Sequence, residues 1–470
     1  MKILSFFILS TTLLLADVPP LEDELNLSSK EAIYDGSSLK LNGEIKLMHG
    51  LGLLSSEKAT LQKQENKTDI PFSHMTLQKD VFITLQNKAT LSCQQAELNF
   101  LTLEGTLSSS ENSKVSYKDL IKGSSAEPTP IEILSKTITL LLKKQNSATL
   151  NEEYALDQLS AKEDVTIKYN KDFVLTADEA TYETSTPGNK VNGTLKAYQK
   201  TAETPCKIFS KEDSIQTPYI EIDLDKNLLF MENPKGQLAS STFSENENGK
   251  VLFSCQKLKW DHEKGLLHLQ KDITIEEASF GSLIAEKEVI IEKNSSQIKS
   301  ISVNGKSILT QKESMLTSFG QLHLDAEKSQ ITALSPKNKQ LIYTDSQMQI
   351  NANQALLEYT ESSQELSSLT LKGNVKIETF DSGKKPKQGI ADRLTYCPET
   401  KTLILLANPG KKVLFQDLEE EIFMSAQEVH LTQNPVTGKT DVKGVGNLKL
   451  FLSNDERDLL KNSLSQEISP

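Results

Sequence analysis

Leu371-Lys372-Gly373-Asn374-Val375-Lys376-Ile377 opens the stretch on which the fold turns. Val375 and Ile377 share one face and Lys376 takes the other, the period-two pattern of a strand with one side buried and one side wet. The same form, a polar or glycine lead-in before two same-face apolar residues, recurs. It reads Gly43-Glu44-Ile45-Lys46-Leu47, Lys79-Asp80-Val81-Phe82-Ile83, Glu163-Asp164-Val165-Thr166-Ile167 and Lys271-Asp272-Ile273-Thr274-Ile275. Its first apolar positions, 45, 81, 165, 273 and 375, lie 36, 84, 108 and 102 residues apart, so the repeat is not strict.

A second pattern follows most of these runs: an apolar residue, then a small residue two positions on. It is Leu54-Ser55-Ser56, Leu91-Ser92-Cys93, Leu175-Thr176-Ala177, Ile350-Asn351-Ala352 and Met424-Ser425-Ala426. A small residue at a fixed inward place predicts a close approach of two backbones, as where strands turn a corner between sheets. Turn residues punctuate the chain at Pro187-Gly188-Asn189, Asn233-Pro234-Lys235-Gly236, Asn408-Pro409-Gly410 and Asn434-Pro435. Strands separated by turn signals, without amphipathic helices between them, predict an all-β protein. Only the two ends, 21–34 and 456–464, read as short helices.

The chain has 470 residues, a formal charge of −12 and 37% apolar residues. That composition excludes wholesale disorder but leaves a thin core for the length. An acidic chain lacks the basic footprint of a nucleic-acid binder. Residues 1–16 have the layout of a secretory signal: Met1-Lys2, an apolar run from Ile3 to Leu15, then Ala16, with Leu14 the one departure where a small residue is preferred. The run is too short to span a bilayer, which takes about 20 residues. In an oxidising compartment Cys93, Cys206, Cys255 and Cys397 are candidates for one or two disulfides, and buried free thiols are the other reading.

The stretch from Leu371 to Leu450 also resembles a known family. It runs through Ala391-Asp392-Arg393-Leu394-Thr395-Tyr396, Asn408-Pro409-Gly410 and Val442-Lys443-Gly444-Val445-Gly446, and Ala177 to Tyr182 matches its central strand. These are similar to the OstA-like modules of the LptA family of periplasmic lipopolysaccharide transport, best over 155–200 and 371–450. The resemblance implies an elongated open β-jelly roll of V-shaped paired sheets, two or three modules in series. The expected division is 1–16 signal peptide, 17–36 linker, 37–205 a first module with an inserted serine-rich loop at 108–130, 206–340 a second module or its continuation, 341–452 a C-terminal module and 453–470 a tail. It implies a non-enzymatic carrier or bridge in the periplasm, with association with the outer membrane as a further expectation, that holds the acyl chains of lipopolysaccharide or lipooligosaccharide between its sheets. Its partners would be jelly-roll domains at the inner and outer membranes, joined by edge-strand addition, with head-to-tail self-association as a further expectation.

On the best-matched module the inward apolar face, and hence the expected lipid-binding face, is Val375, Ile377, Leu403, Leu405, Val413, Phe415, Val429, Leu431, Leu448 and Leu450. Alternation does not separate a lipid trough from a dry core made of the same residues. No cofactor or metal is expected. Gly305-Lys306-Ser307 and Gly438-Lys439-Thr440 lack the leading glycine of a phosphate loop, His262 and His268 lack helical zinc spacing, and no GxSxG occurs. Two other readings remain: an exported structural or adhesive β-solenoid without lipid, and a carbohydrate-active jelly roll using Glu276 or Glu419.

Overall fold

The structure is a computed structural model that describes residues 26–451 apart from 50, 64–71, 87, 111, 122–127, 146–152, 170–172, 184–192, 202, 240–249, 279–280, 295–296, 361–364, 381–384, 420 and 434–439. Among the described residues every regular element is a β-strand, so the protein is all-β as its alternation predicts. The strand pairings with a described register are antiparallel, as hairpin-connected strands require. The signal-like segment 1–16 and the helix expected at 456–464 lie outside the described residues.

Two local expectations are corrected. The helix read over 21–34 does not form across 26–34: Asn26–Ser28 and Glu31–Tyr34 are strands paired on Ser38–His49. A segment that short cannot nucleate a helix alone, whereas the free edge of Ser38–His49 offers unpaired backbone groups. Nor is 108–130 one inserted loop. Val115–Ile121 is a strand within it, paired with Thr90–Asn99, and it buries Val115, Tyr117 and Ile121.

The chain packs as two units, one of residues 1–120, 132–163 and 183–191, the other of 121–131, 164–182 and 192–470. The sequence-based boundaries at 205/206 and 340/341 both fall within the second. In the first unit, long strands such as Ser38–His49, Gly52–Gln62 and His74–Leu85 form a meander whose register breaks near the middle of each strand. The breaks fall at Gly43-Glu44, Ser56-Glu57 and Lys79-Asp80, which belong to the two recurring sequence patterns.

In the second unit the strands sort into two ladders. Sheet I runs from Thr194–Tyr198 through Tyr219–Asp223, Leu228–Glu232, Lys257–Asp261 and onward to Glu428–Gln433 and Thr440–Val445. Sheet II runs from Phe173–Glu183 through Cys206–Ser210, Asp213–Thr217, Lys235–Leu238 and onward to Ile422–Ala426 and Lys449–Phe451. The chain makes a hairpin in one sheet, crosses to the other, makes the next hairpin there, and crosses back. All crossings therefore lie along one edge, and all hairpin turns along the opposite rim.

The crossings alternate in direction between the sheets, and the outward ones differ among themselves: Asn233-Pro234 and Gly305-Lys306 each carry one left-handed residue. At Lys79-Asp80, Glu163-Asp164, Lys271-Asp272 and Gly373-Asn374 both residues are left-handed, with φ of +62° and +49° at Lys271 and Asp272. Glycine, Asn and Asp tolerate that conformation better than other residues, which accounts for Asp or Asn in the second place. At the return crossings a small buried residue ends the strand: Thr217, Cys255, Ala285, Ser318, Ala352 and Ala426. Where that residue carries a polar atom it bends back locally. Thr217 Oγ1 donates to the Tyr219 carbonyl at 3.0 Å and Cys255 Sγ to that of Lys257 at 3.2 Å. Backbone bonds then link crossing to crossing, Asn233 N to Gln256 O at 2.7 Å and Gln256 N to Lys271 O at 3.0 Å among them.

The cysteines belong to this scheme, and none is in a disulfide. Cys93 and Cys255 are small crossing residues, and Cys206 opens an inward strand face. Burial pushes the Cys93 and Cys206 thiols up to about 12 and that of Cys255 up to about 11, while hydrogen bonding from Thr400 holds the Cys397 thiol below its usual value. In Ellman titration of the native protein at pH 8, Cys397 is expected to react and the other three to remain protected until denaturant is added. The buried thiols keep their protons in the fold after unfolded thiols, near 9, have lost theirs. Stability should therefore decline as pH rises from about 9 toward 12.

Candidate functional site: the cleft between the sheets

Inward residues of both ladders meet between the sheets. On the best-matched module their exposure grades from the crossing edge to the rim. Val375, Leu405, Val413 and Val429, all next to crossings, have 0% exposure, and Phe415, one step further, has 1%. Ile377, Leu403 and Leu431, nearer the rim, have 4–5%. The small crossing residues hold the backbones close at one edge, and the sheets part toward the other.

At the rim end of this module the space becomes a cleft of about 580 Å³. Met348, Thr379 and Lys387 line it from sheet II, and Tyr396, Leu403, Leu431 and Gln433 from sheet I. Lys387 faces inward and pairs with buried Asp417 at 3.0 Å, although its place in Lys384-Lys385-Pro386-Lys387 reads as a solvated loop. A second, more apolar cleft of about 370 Å³ lies earlier in the unit, where Val251, Ile275 and Leu309 of sheet II face Ile301, Leu322 and Leu324 of sheet I.

Two of the ten expected inward residues depart from the pattern. Leu448 is 51% exposed and Leu450 48%. Leu450 sits on the last strand of sheet II, whose described pairing is to Ile422–Ala426 alone. Leu448 precedes that strand. Its Cδ1 lies where a Cβ on Gly444 would come within 2.6 Å, beside Met424 Sδ, so it reaches between the ends of the two described sheets. Alternation gives a residue's face but not the end of the ladder.

The hairpin turns of sheet I carry a signal that a search for proline-glycine turns overlooks. Asp223-Leu224-Asp225-Lys226-Asn227, Asp261-His262-Glu263-Lys264-Gly265 and Asp325-Ala326-Glu327-Lys328-Ser329 share one form, with left-handed Asn227, Gly265 and Ser329. In each, the aspartate accepts the lysine backbone N–H at 3.1 Å and pairs with its ammonium. The aspartates are 38 and 64 residues apart, one and two turns of the coil. Asn233-Pro234 and Asn408-Pro409-Gly410 are crossings instead of hairpin turns.

Other candidate groups serve packing. Trp260 is buried inward on sheet I, Asp261 caps a turn, and His262 hydrogen-bonds Ser210. Among the described residues no group of His, Cys, Asp and Glu could hold a metal ion.

Fold and cleft together define an all-β protein in which alternating hairpins build two facing sheets around an apolar space that opens at the rim. No family model matches the chain, and no curated protein matches it. Among solved structures it is similar to LptH of Pseudomonas aeruginosa, the LptA homologous periplasmic component of the lipopolysaccharide transport device, at 9% identity and a TM-score of 0.25 over 30% of this chain and 94% of that one. At that level the likeness decides neither fold detail nor function.

Proposed function

We propose that the second unit is a non-enzymatic carrier that holds the hydrocarbon chains of an exported glycolipid of lipopolysaccharide type between its sheets. The cleft at Leu403, Leu431 and Met348 carries this reading: these three form an apolar patch between the sheets, bordered by Gln347, Thr379, Gln433 and Thr440, and the cleft opens at the rim. Each acyl CH₂ moved there from water gains about 0.8 kcal/mol, and flexible chains need no fixed shape from an aliphatic wall. Lys401 stands beside the apolar part, where an anionic headgroup would meet it. The signal-like residues 1–16 support export to the periplasm. The strand Lys449–Phe451, which among the described residues pairs with Ile422–Ala426 alone, supports strand addition by a partner, by further copies of this chain, or by the jelly-roll domains of membrane-bound transport proteins.

Photo-crosslinking residues placed at Leu403 and Leu431 are expected to capture radiolabelled glycolipid in cells, and one at outward Lys376 is not. Position 415, deeper in the closed part, should label far less than 403. Equal labelling at inward and outward positions would remove the carrier and leave a lipid-free scaffold.

A further inference from the structure

Three successive polar contacts tie the rims of the two sheets together over one stretch of the second unit. Tyr169, which stacks edge-on against Phe173 at the sheet II rim, donates its hydroxyl to the Leu224 carbonyl at 3.4 Å and to Asn227 Oδ1, both in a sheet I turn. Ser210, at the rim end of Cys206–Ser210, bonds His262 Nε2 of the next sheet I turn at 3.2 Å. Asp213, at the rim end of Asp213–Thr217, receives both bonds of Lys293 Nζ, at 2.8 and 2.6 Å.

The last contact is the most constrained. Lys293 ends Glu288–Lys293 in sheet I and Asp213 begins a strand in sheet II, so the pair spans the opening. The two side chains are only 6% and 11% exposed. Asp213 Oδ1 also accepts the Ala239 N–H at 2.9 Å, and the Lys293 backbone is anchored by its N–H to the Gly265 carbonyl at 2.9 Å. A Cβ at 265 would come within 2.0 Å of the Lys293 carbonyl oxygen, so the turn that positions this lysine admits glycine only. A buried ion pair is weak evidence of net stabilisation, because desolvation cancels much of its attraction. Holding two rims in one arrangement is something it does do. The clefts at Ile275 and at Leu403 both lie further along the coil than this seam.

We propose that Tyr169–Asn227, Ser210–His262 and Asp213–Lys293 form a polar clasp that shuts the mouth between the sheets over this stretch and confines lateral exchange of hydrocarbon to the open rim beyond it. The exchange half rests on the carrier reading above; the closure half does not. The test uses the full chain with Cys397→Ser and spin labels on exposed Lys211→Cys and Lys264→Cys, one on each rim. Double electron–electron resonance should give one narrow distance distribution. In Lys293→Met it should broaden and move to longer distances, and the swap Asp213→Lys with Lys293→Asp should restore it. Should Lys293→Met fail to fold, Tyr169→Phe with Ser210→Ala removes two hydroxyls and leaves no buried charge, and should widen the distribution in the same sense. An unchanged distribution in the folded variants overturns the clasp. The acyl probe cis-parinaric acid should exchange at least about tenfold faster when the clasp is broken, the factor a lost charge-assisted bond implies. Widened rims with unchanged exchange would sink the exchange half. A probe that binds no variant at all, wild type included, would sink the carrier reading and leave closure to be judged on the distances.

Discussion

Lys293→Ala is expected to destabilise the second unit by about 3–5 kcal/mol, the usual cost of breaking a buried pair. The loss arises from what remains: an ionised Asp213, nearly enclosed, with the Ala239 N–H as its other bond but no cation. Asp213→Ala should cost a similar amount by stranding the ammonium. Asp213→Leu combined with Lys293→Met should recover most of the loss, since two apolar side chains in that space need neither desolvation nor pairing. Urea unfolding followed by Trp260 fluorescence measures this, because Trp260 is the single tryptophan of the chain and is buried in sheet I of the same unit. Equal stability of Lys293→Ala and wild type would mean that the pair is hydrated in solution.

Phe415→Ala should also cost about 3–5 kcal/mol, and Leu431→Ala about 2, at the low end for a buried leucine. Both residues face inward, but they differ in depth. Phe415 lies toward the crossing edge, where neighbouring strands are held by Gly373-Asn374 and Ala426 and cannot collapse onto a void. Leu431 already borders the 580 Å³ cleft, so its truncation enlarges an existing space. The lipid readout should invert this order. Leu431→Ala should lower glycolipid capture at position 403 more than Phe415→Ala does, although Phe415→Ala lowers thermal stability more by circular dichroism. A Leu431 variant more damaging to stability than Phe415→Ala would mean that the cleft closes in solution.

Much of the architecture is written in short range. Val375-Lys376-Ile377 and its relatives set the period of two, and with it the all-β class and the inward face of eight of the ten expected residues. The polar lead-ins of the first pattern are left-handed pairs, and in the second pattern Ala352 and Ala426 end strands at return crossings. The even repeat stayed hidden because the two kinds of crossing alternate and because small residues of different type serve one place. Thr217, Cys255, Ala285, Ser318 and Ala352 are interchangeable to the fold but look unrelated in a row of letters.

The strand at 115–121 and those at 26–34 were obscured for another reason. Their alternation is brief, and their pairing depends on the edge of a longer neighbouring strand, Ser38–His49 or Thr90–Asn99.

Local spacing therefore determined what each strand is and which way its side chains point, since a residue's face follows from the geometry of its immediate neighbours. Depth between the sheets, the partner of Lys293 eighty residues away, and the exposed end at Leu448 and Leu450 were decided only by the tertiary structure. Those properties depend on which hairpin stacks on which and on where the stacking stops, and no single strand contains that information.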